Sequence, residues 1–319
     1  MIVGPGAVEP PSIHARAMLR SAEFFASYAD IMPDFPAFCL AVHTTPPCCL
    51  RVNTLRTAPH IVQTRLAHYG YQAVAPSFAR ELLLVDGLTH PGTLREALLG
   101  YYHVQALTSA LAALVLAPQP GERVLDLCAA PGSKTSHMAQ LMRDQGFIVA
   151  NDRHAKRLAM LEYNLKHLGV SNVVTTCYAG QNFPLRGKFD RVLVDAPCSG
   201  EGNYRWDARG RLLHYRRSQG NLPRLQTQLL LRGFDLLAAG GTLLYATCTY
   251  NPAENEAVVQ ALLEQRPASL HPILLPEIPH APGLQHWRTH SYDRRMELCW
   301  RLYPHQLNSV GFFLACIRA

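Results

Sequence analysis

The sequence predicts an α/β protein, a mostly parallel sheet preceded by a small α+β segment. Three observations carry that expectation. From Arg123 onward, short apolar runs alternate with stretches of helical period. A loop of small residues, Cys128-Ala129-Ala130-Pro131-Gly132-Ser133, joins the first run to the first helical stretch. Two cysteines, Cys198 and Cys248, lie beyond or at the end of two later runs, the edge where ligands of parallel sheets gather.

The elements follow in order. RVLDLC (123–128) reads as a buried strand and KTSHMAQLM (134–142) as the helix after the loop. FIVAN (147–151) is the second strand. The next helix places Leu158, Leu161, Leu165 and Leu168 on one face and stops at Gly169. NVVTT (172–176) and RVLVD (191–195) are strands three and four. A helix over Leu225–Ala239 is expected to end at Gly240-Gly241, before the fifth strand, TLLYATC (242–248). Asn251 then reads as an N-cap, with Pro252 opening a helix over Ala253–Glu264. CWRLYP and GFFLACIR close the chain as an antiparallel pair. Ahead of the sheet, LRVNTL (50–55), a helix near His60–Tyr69, YQAVA and ELLLVDG suggest a small α+β domain over residues 1–100. Tyr101–Ala117 reads as a helix leading into a second domain, 101–319.

Composition narrows the class. The chain has 319 residues, nearly half of them apolar, which is enough for a large core. A net charge of +7 favours a polyanionic partner, although many basic proteins are charged only for solubility. The nine cysteines form an odd, irregular set without a CxxC pair, which argues against a disulfide framework or a zinc ribbon and for a reducing compartment. The start MIVGPGAVEPPS lacks the pattern of a signal peptide, and the run Ala106–Ala117 is too short to span a bilayer. A cytoplasmic, monomeric protein without a membrane role or a bound metal is the expectation.

The loop after the first strand is a ligand site in outline. Small residues let backbone N–H groups approach a ligand, and the helix start favours negative charge. The spacing is neither a phosphate loop, since Cys128 stands where the first glycine would be, nor the GxGxxG of dinucleotide folds. Asp152 follows Cys128 by twenty-four residues, at the end of the second strand, where an acid can hold two ribose hydroxyls. A ribose-bearing ligand with a carboxylate in place of a pyrophosphate suits such a site, and S-adenosylmethionine is one. The plain alternative is a tight turn with a charged surface Asp.

With LCAAPGSKT, VDAPCSGEG and ATCTYNPAENE in this order, the chain resembles the RNA cytosine-5 methyltransferases of the RsmB/NOL1/NSUN family. The likeness runs from LRVNTL through GYYHVQ to RLYPHQLNSVGFF and covers most of the chain. It implies a Rossmann-like class I methyltransferase sheet, with an N-terminal α+β domain that adds RNA contact. It implies S-adenosylmethionine as cofactor, held by Cys128, Ala129, Ala130, Pro131, Gly132, Ser133, Lys134, Asp152 and Asp195, with Arg157 as a further contact or a surface arginine. One departure stands out: the family's acid in the loop after the third strand is Ala179 here, with Gln181 as a substitute contact or a weakened site. The chain is read as a near-minimal family member, without an N-terminal extension of the NusB kind.

The chemistry explains the residue types. Cytosine C5 is too poor a nucleophile to take a methyl group unaided. A thiolate adding at C6 makes an enamine, assisted by a proton or hydrogen bond at N3, and removal of the C5 proton then lets the thiolate leave. Cys248, Cys198 and Asp195 are the right groups, and residue types alone do not say which thiol attacks. Resemblance assigns attack to Cys248 and product release to Cys198. It also places Lys134 in the site, against the methionine carboxylate or the base. Cys198, Asp195 and water all remain candidates for accepting the C5 proton. A methyltransferase for DNA cytosine or for an exocyclic amine, and a non-catalytic RNA-binding factor, are the competing readings; DAPC together with ATCT disfavours the amine.

Between the two cysteines, Asn203–Arg224 carries Arg205, Arg209, Arg211, Arg216, Arg217 and Arg224, interleaved with Tyr204, Trp206, His214 and Tyr215. Guanidinium groups grip phosphates and aromatic faces stack on unpaired bases, so the stretch is expected to contact RNA, tRNA or ribosomal RNA. A solvated amphipathic helix is the alternative. The target base must be unpaired or flipped out to be reached at C5 and C6. Arg51 and Asn53 match a family motif and are expected either to touch RNA or to stabilise the domain junction.

Overall fold

The computed structural model describes residues 13–207, 209–215, 221–275 and 277–319. Its centre is a nine-stranded mixed sheet. The strands run in the order Ala281–Pro282, Trp300–Leu302, Phe312–Arg318, Leu237–Thr247, Phe189–Asp195, Arg123–Asp126, Phe147–Asn151 and Val173–Thr176, with Ser269–His271 also paired to Phe312–Arg318. The five from Leu237–Thr247 to Val173–Thr176 are mutually parallel, and Phe312–Arg318 lies antiparallel to Leu237–Thr247.

Alternation along these strands builds two cores. Leu125, Val192, Val194, Leu243 and Tyr245 face the helices Leu222–Asp235 and Glu256–Gln265. Val124, Leu193, Leu244 and Ala246 face the opposite way, against Leu107–Leu116 and Ser133–Leu141. Because both faces are covered, successive residues are apolar, and each fully buried leucine contributes roughly 1.5–3 kcal/mol. The helix Ala155–Leu168 buries the four expected leucines and ends on Gly169, whose φ of 72° suits a residue without a Cβ.

A smaller antiparallel sheet precedes this domain, in the order Ala73–Val74, Leu82–Val85, Cys48–Val52, Tyr102–Val104. Val62 and Leu66 of the helix Pro59–His68 pack on it with Leu50, Val52, Leu83 and Val85. Arg51 and Asn53 sew it to the large domain. The buried Arg51 guanidinium donates to Ser133 O and Ser136 Oγ, each at 2.7 Å, and Asn53 Nδ2 to Gly100 O at 2.9 Å and Leu168 O at 2.8 Å. The helices Ile13–Phe24 and Phe35–Ala41 pack elsewhere. Phe25 and Phe38 join Tyr204, Trp206, Tyr250 and Tyr303 in an aromatic cluster on the large domain.

Three boundaries differ from expectation. Tyr101–Ala117 is not one helix: Tyr102–Val104 pairs with Cys48–Val52, and the helix starts at Leu107. The helix expected over Leu225–Ala239 is Leu222–Asp235, capped by the Asn221 side chain, and the next strand begins at Leu237. Gly240-Gly241 therefore sits inside a strand, at an irregularity between the Leu237 and Thr242 pairings, where Gly240 takes a φ of 74°. Asn251 does not cap a helix at Ala253. Its Oδ1 closes a local turn on Ala253 N, and the helix starts at Glu256. None of the described helices is long and apolar enough to cross a membrane.

Arg301 and Glu256 are both buried and meet in two 2.6 Å hydrogen bonds, and Arg301 also donates to Tyr250 O at 3.0 Å, two residues past Cys248. Removing one partner strands the other charge. Glu256→Ala is expected to cost about 3–5 kcal/mol in urea unfolding, and the pair Glu256→Met with Arg301→Met to recover most of it. A Glu256→Ala loss below about 1 kcal/mol would show that the pair is not the tie it looks.

Candidate active site

Two parallel strands place the two thiols. Asp195 lies opposite Ala246 in the register of Phe189–Asp195 with Leu237–Thr247, and Ala196 N extends the ladder to Ala246 O at 3.0 Å. The chains leaving these strand ends carry Cys198 and Cys248 side by side, Sγ to Sγ 3.3 Å, with Cys248 N 3.4 Å from Cys198 Sγ. Both thiols are half-buried.

The two loops are joined below the sulfurs. Ser199 Oγ and Thr249 Oγ1 are 2.7 Å apart, and Gly202 N donates to Cys248 O at 2.9 Å. Gly202 has no room for a side chain: a Cβ there would stand 2.3 Å from Gly311 O. Two acids complete the tie. Glu254 accepts from Ser199 N and Gln226 Nε2, both at 2.9 Å, while Glu201 accepts from Tyr28 O–H at 2.8 Å and Thr249 O–H at 3.1 Å. Burial pushes the Glu201 carboxyl up.

Lys134 and Asp195 stand beside the thiols, Nζ to Oδ2 2.7 Å. The Cys248 thiol is held below its ordinary value, chiefly by its hydrogen bond with Cys198, with the Lys134 ammonium assisting against burial and Asp195. The same contact and burial push Cys198 up, against the Cys248 N–H that donates to its sulfur. The pair is polarised, with Cys248 as the better thiolate.

The small-residue loop lies next to them. A cavity of about 160 Å³ is lined by Ser109, Asp126, Cys128, Ala129, Ala130, Pro131, Ser133, Lys134 and Asp195. Gly132, at φ 101°, turns the chain into the helix Ser133–Leu141 and packs on Leu161. Asp152 is buried outside this lining, bonded to His154 N and 2.8 Å from Arg157. Arg157 also donates to Ala130 O, so it ties the loop to the acid and is not a free surface arginine. Burial pushes the Cys128 thiol up, and the Asp126, Asp195 and Asp152 carboxylates around it add to that.

Several working residues escaped the sequence reading. Asp126 ends the first strand with Oδ2 on Thr135 Oγ1 at 2.7 Å, while Oδ1 is buried and closes no hydrogen bond among the described residues. Asn151 joins three strand ends through Leu127 O, Tyr178 O, Tyr178 N and Thr176 Oγ1. The available signal was a polar residue closing an apolar run. Ala179 precedes a short turn, Gly180–Asn182, in which Gln181 O accepts from Arg232 at 3.0 Å.

The arginine-rich stretch is corrected in part. Up to Tyr215 its described portion is a hairpin of Arg205–Trp206 with Leu212–Leu213, and Arg224 lies in the first turn of the helix Leu222–Asp235. Arg205 is buried and donates to Tyr204 O and Ser309 O, and Tyr204 and Trp206 lie in the aromatic cluster, so none of the three offers a free face. Arg209, Arg211, His214, Tyr215 and Arg224 are exposed, and Arg211 is paired to Asp207 at 2.7 Å. Arg216 and Arg217 lie outside the described residues.

This sheet, with a ligand loop at its first strand, is the methyltransferase fold. A crystal structure described as a methyltransferase homologue from Pyrococcus horikoshii matches it with a TM-score of 0.81 at 31% identity, over 97% of this chain and 99% of that one. The family model for 16S rRNA methyltransferase RsmB/F matches residues 113–318, and the chain belongs to that family. It is 38% identical over 276 residues to the 28S rRNA (cytosine(4447)-C(5))-methyltransferase of Homo sapiens, 84% of this chain and 34% of that protein. To the tRNA (cytosine(49)-C(5))-methyltransferase of Pyrococcus abyssi it is 37% identical over 236 residues, 71% of this chain and 73% of that one. The chain thus spans about a third of the length of the first curated relatives it matches.

Burial pushes the Asp126 carboxyl up to about 7 from 3.8, against the Thr135 hydrogen bond. The unfolded chain ionises near 3.8 while the folded one keeps its proton, so this contribution to stability is full at low pH and is lost as pH rises through about 7. Asp126→Asn keeps an acceptor for Thr135 and removes the titration. Between pH 4 and 7 the unfolding free energy of the wild type should fall relative to that variant; parallel curves would mean that Asp126 is ionised throughout.

Proposed function

We propose that this chain transfers a methyl group from S-adenosylmethionine to C5 of a cytosine in tRNA or ribosomal RNA, through a covalent bond between Cys248 and C6. The observation that carries the proposal is the thiol pair, 3.3 Å apart, beside the Lys134–Asp195 pair at the small-residue cavity. Cys248 adds to C6 as the thiolate, and the proton that N3 gains comes through Lys134 and Asp195. Cys198, bonded to the same sulfur, serves product release. Membership of a family whose relatives are named for cytosine-C5 methylation of ribosomal RNA and of tRNA supports this reading.

The cofactor site fits the donor set present. Backbone from Cys128 to Ser133 and Lys134 would hold the methionine end, and Asp126 Oδ1 offers a buried acceptor in the same cavity. Asp152 would take the ribose hydroxyls, with Arg157 fixing it against Ala130. Asp195 would serve both cofactor and base. When bound, S-adenosylmethionine supplies an electrophilic methyl group.

An RNA-binding role is proposed for the small α+β domain expected over 1–100, although its sheet runs on to Val104 and the helices Ile13–Phe24 and Phe35–Ala41 pack on the methyltransferase domain expected over 101–319. The exposed Arg209, Arg224, His214 and Tyr215, between the two thiols in sequence, are proposed to grip the strand carrying the target. Arg51 and Asn53 are assigned to the junction, since their side chains are spent there. One copy of the chain carries every residue named, which supports a monomer, and thiol chemistry of this kind suits the reducing cytoplasm.

The test is covalent trapping with RNA containing 5-azacytidine, where elimination cannot follow addition. The wild type should give an adduct on a denaturing gel and Cys248→Ala none, while Cys198→Ala should keep it. Loss with Cys198→Ala alone would reverse the thiols, and no adduct with any cellular RNA would sink the proposal. Asp152→Ala should weaken S-adenosylmethionine binding by about 10- to 100-fold in calorimetry, the loss of one or two charge-assisted hydrogen bonds.

A further inference from the structure

We propose that Cys198 and Cys248 are a modification site for hydrogen peroxide, closing to a reversible disulfide that switches the site off. The inference rests on the proposed function only for its consequence, since the linkage itself needs nothing but the two thiols.

The geometry carries it. The sulfurs are 3.3 Å apart, and a disulfide needs about 2.0 Å, a closure of little over 1 Å that side-chain torsion can supply. The backbones need no new approach, because the Ser199–Thr249 and Gly202–Cys248 hydrogen bonds already hold the two loops together. Both thiols are half-buried, so a molecule the size of peroxide reaches them. The contact between the sulfurs holds the Cys248 thiol below its ordinary value, so Cys248 is the one that attacks first.

The step balances. The Cys248 thiolate attacks one peroxide oxygen, the O–O bond breaks, and hydroxide leaves, giving Cys248–SOH. Cys198 sulfur then attacks the Cys248 sulfur, the S–O bond breaks, and water leaves with the Cys198 proton. The sulfurs together lose two electrons, and peroxide is reduced to two waters. A lone active-site thiolate would go on to sulfinic acid; a partner at this distance intercepts the sulfenic acid while it can still be reduced. The same closeness that serves catalysis thus makes the site oxidisable in a recoverable way, and a covalent RNA adduct on Cys248 would protect it.

The experiment treats the full chain with limiting hydrogen peroxide and maps peptides by mass without reductant. The expected result is a linked pair of peptides carrying Cys198 and Cys248, two hydrogens lighter, restored by dithiothreitol, with RNA methylation lost and regained in parallel. In Cys198→Ser, a second equivalent of peroxide should carry the Cys248 sulfenic acid to sulfinic acid, with loss of water, and dithiothreitol does not reverse it. Prior trapping on 5-azacytidine RNA should prevent the linkage. Sulfinic acid on wild-type Cys248 without a link, or a link to the exposed Cys177, would overturn the proposal. A reduced protein that methylates no RNA would refute the proposed function and leave the mass result to decide the linkage alone.

Discussion

The site depends on one register. Parallel pairing of Phe189–Asp195 with Leu237–Thr247 puts Asp195 opposite Ala246 and delivers the two loops to the same point above the sheet. A slip by one residue would turn Val192, Val194, Leu243 and Tyr245 out of one core and into the other. The side chains on the two faces, Val192, Val194, Leu243 and Tyr245 against Leu193, Leu244 and Ala246, differ in size and shape, so close packing on both sides holds the register, and the register sets the distance between the thiols. The contact between the two sulfurs is thus specified by core residues some way from the sulfurs themselves.

Charge buried under the loops holds that placement. Glu254 and Glu201 take hydrogen bonds from both loops, Arg301 carries the chain past Tyr250, and Tyr28 brings the first described helices into the same network. Such groups are costly to bury unless paired, and each here has its partners. They add little net stability over an apolar core, but they specify one arrangement of two loops that packing alone would leave loose. The cofactor side is built likewise. Arg157 joins Asp152 to the loop carbonyl, Asn151 joins three strand ends, and Arg51 anchors the helix carrying Lys134 to the small domain.

Much of this was legible in the sequence, because the signals are local. Alternating apolar runs located the five parallel strands, Leu158, Leu161, Leu165 and Leu168 located a helix, and two thiols at strand ends located the site. What was not legible depends on partners distant in sequence. Nothing near Tyr102 says that Cys48–Val52 needs a fourth strand beside it. Gly240-Gly241 stops a helix in local terms, yet the neighbouring strand draws Leu237 into the sheet first. Arg205, Tyr204 and Trp206 have the composition of an RNA grip, but Phe24, Phe25 and Ser309, far away in the chain, cover them. Asp152 and Arg157 were each named for a ligand, and their pairing with one another appears only in three dimensions.

Bringing the two strand ends together leaves the neighbouring cysteines unequal, Cys248 the readier thiolate. The most direct measurement is the rate of iodoacetamide alkylation at each cysteine from pH 5 to 10, resolved by peptide mass. Cys248 should react first, with a midpoint below the ordinary thiol value of about 8.5, and Lys134→Met should move this midpoint upward. Equal rates at the two positions, or a lower midpoint at Cys198, would contradict it.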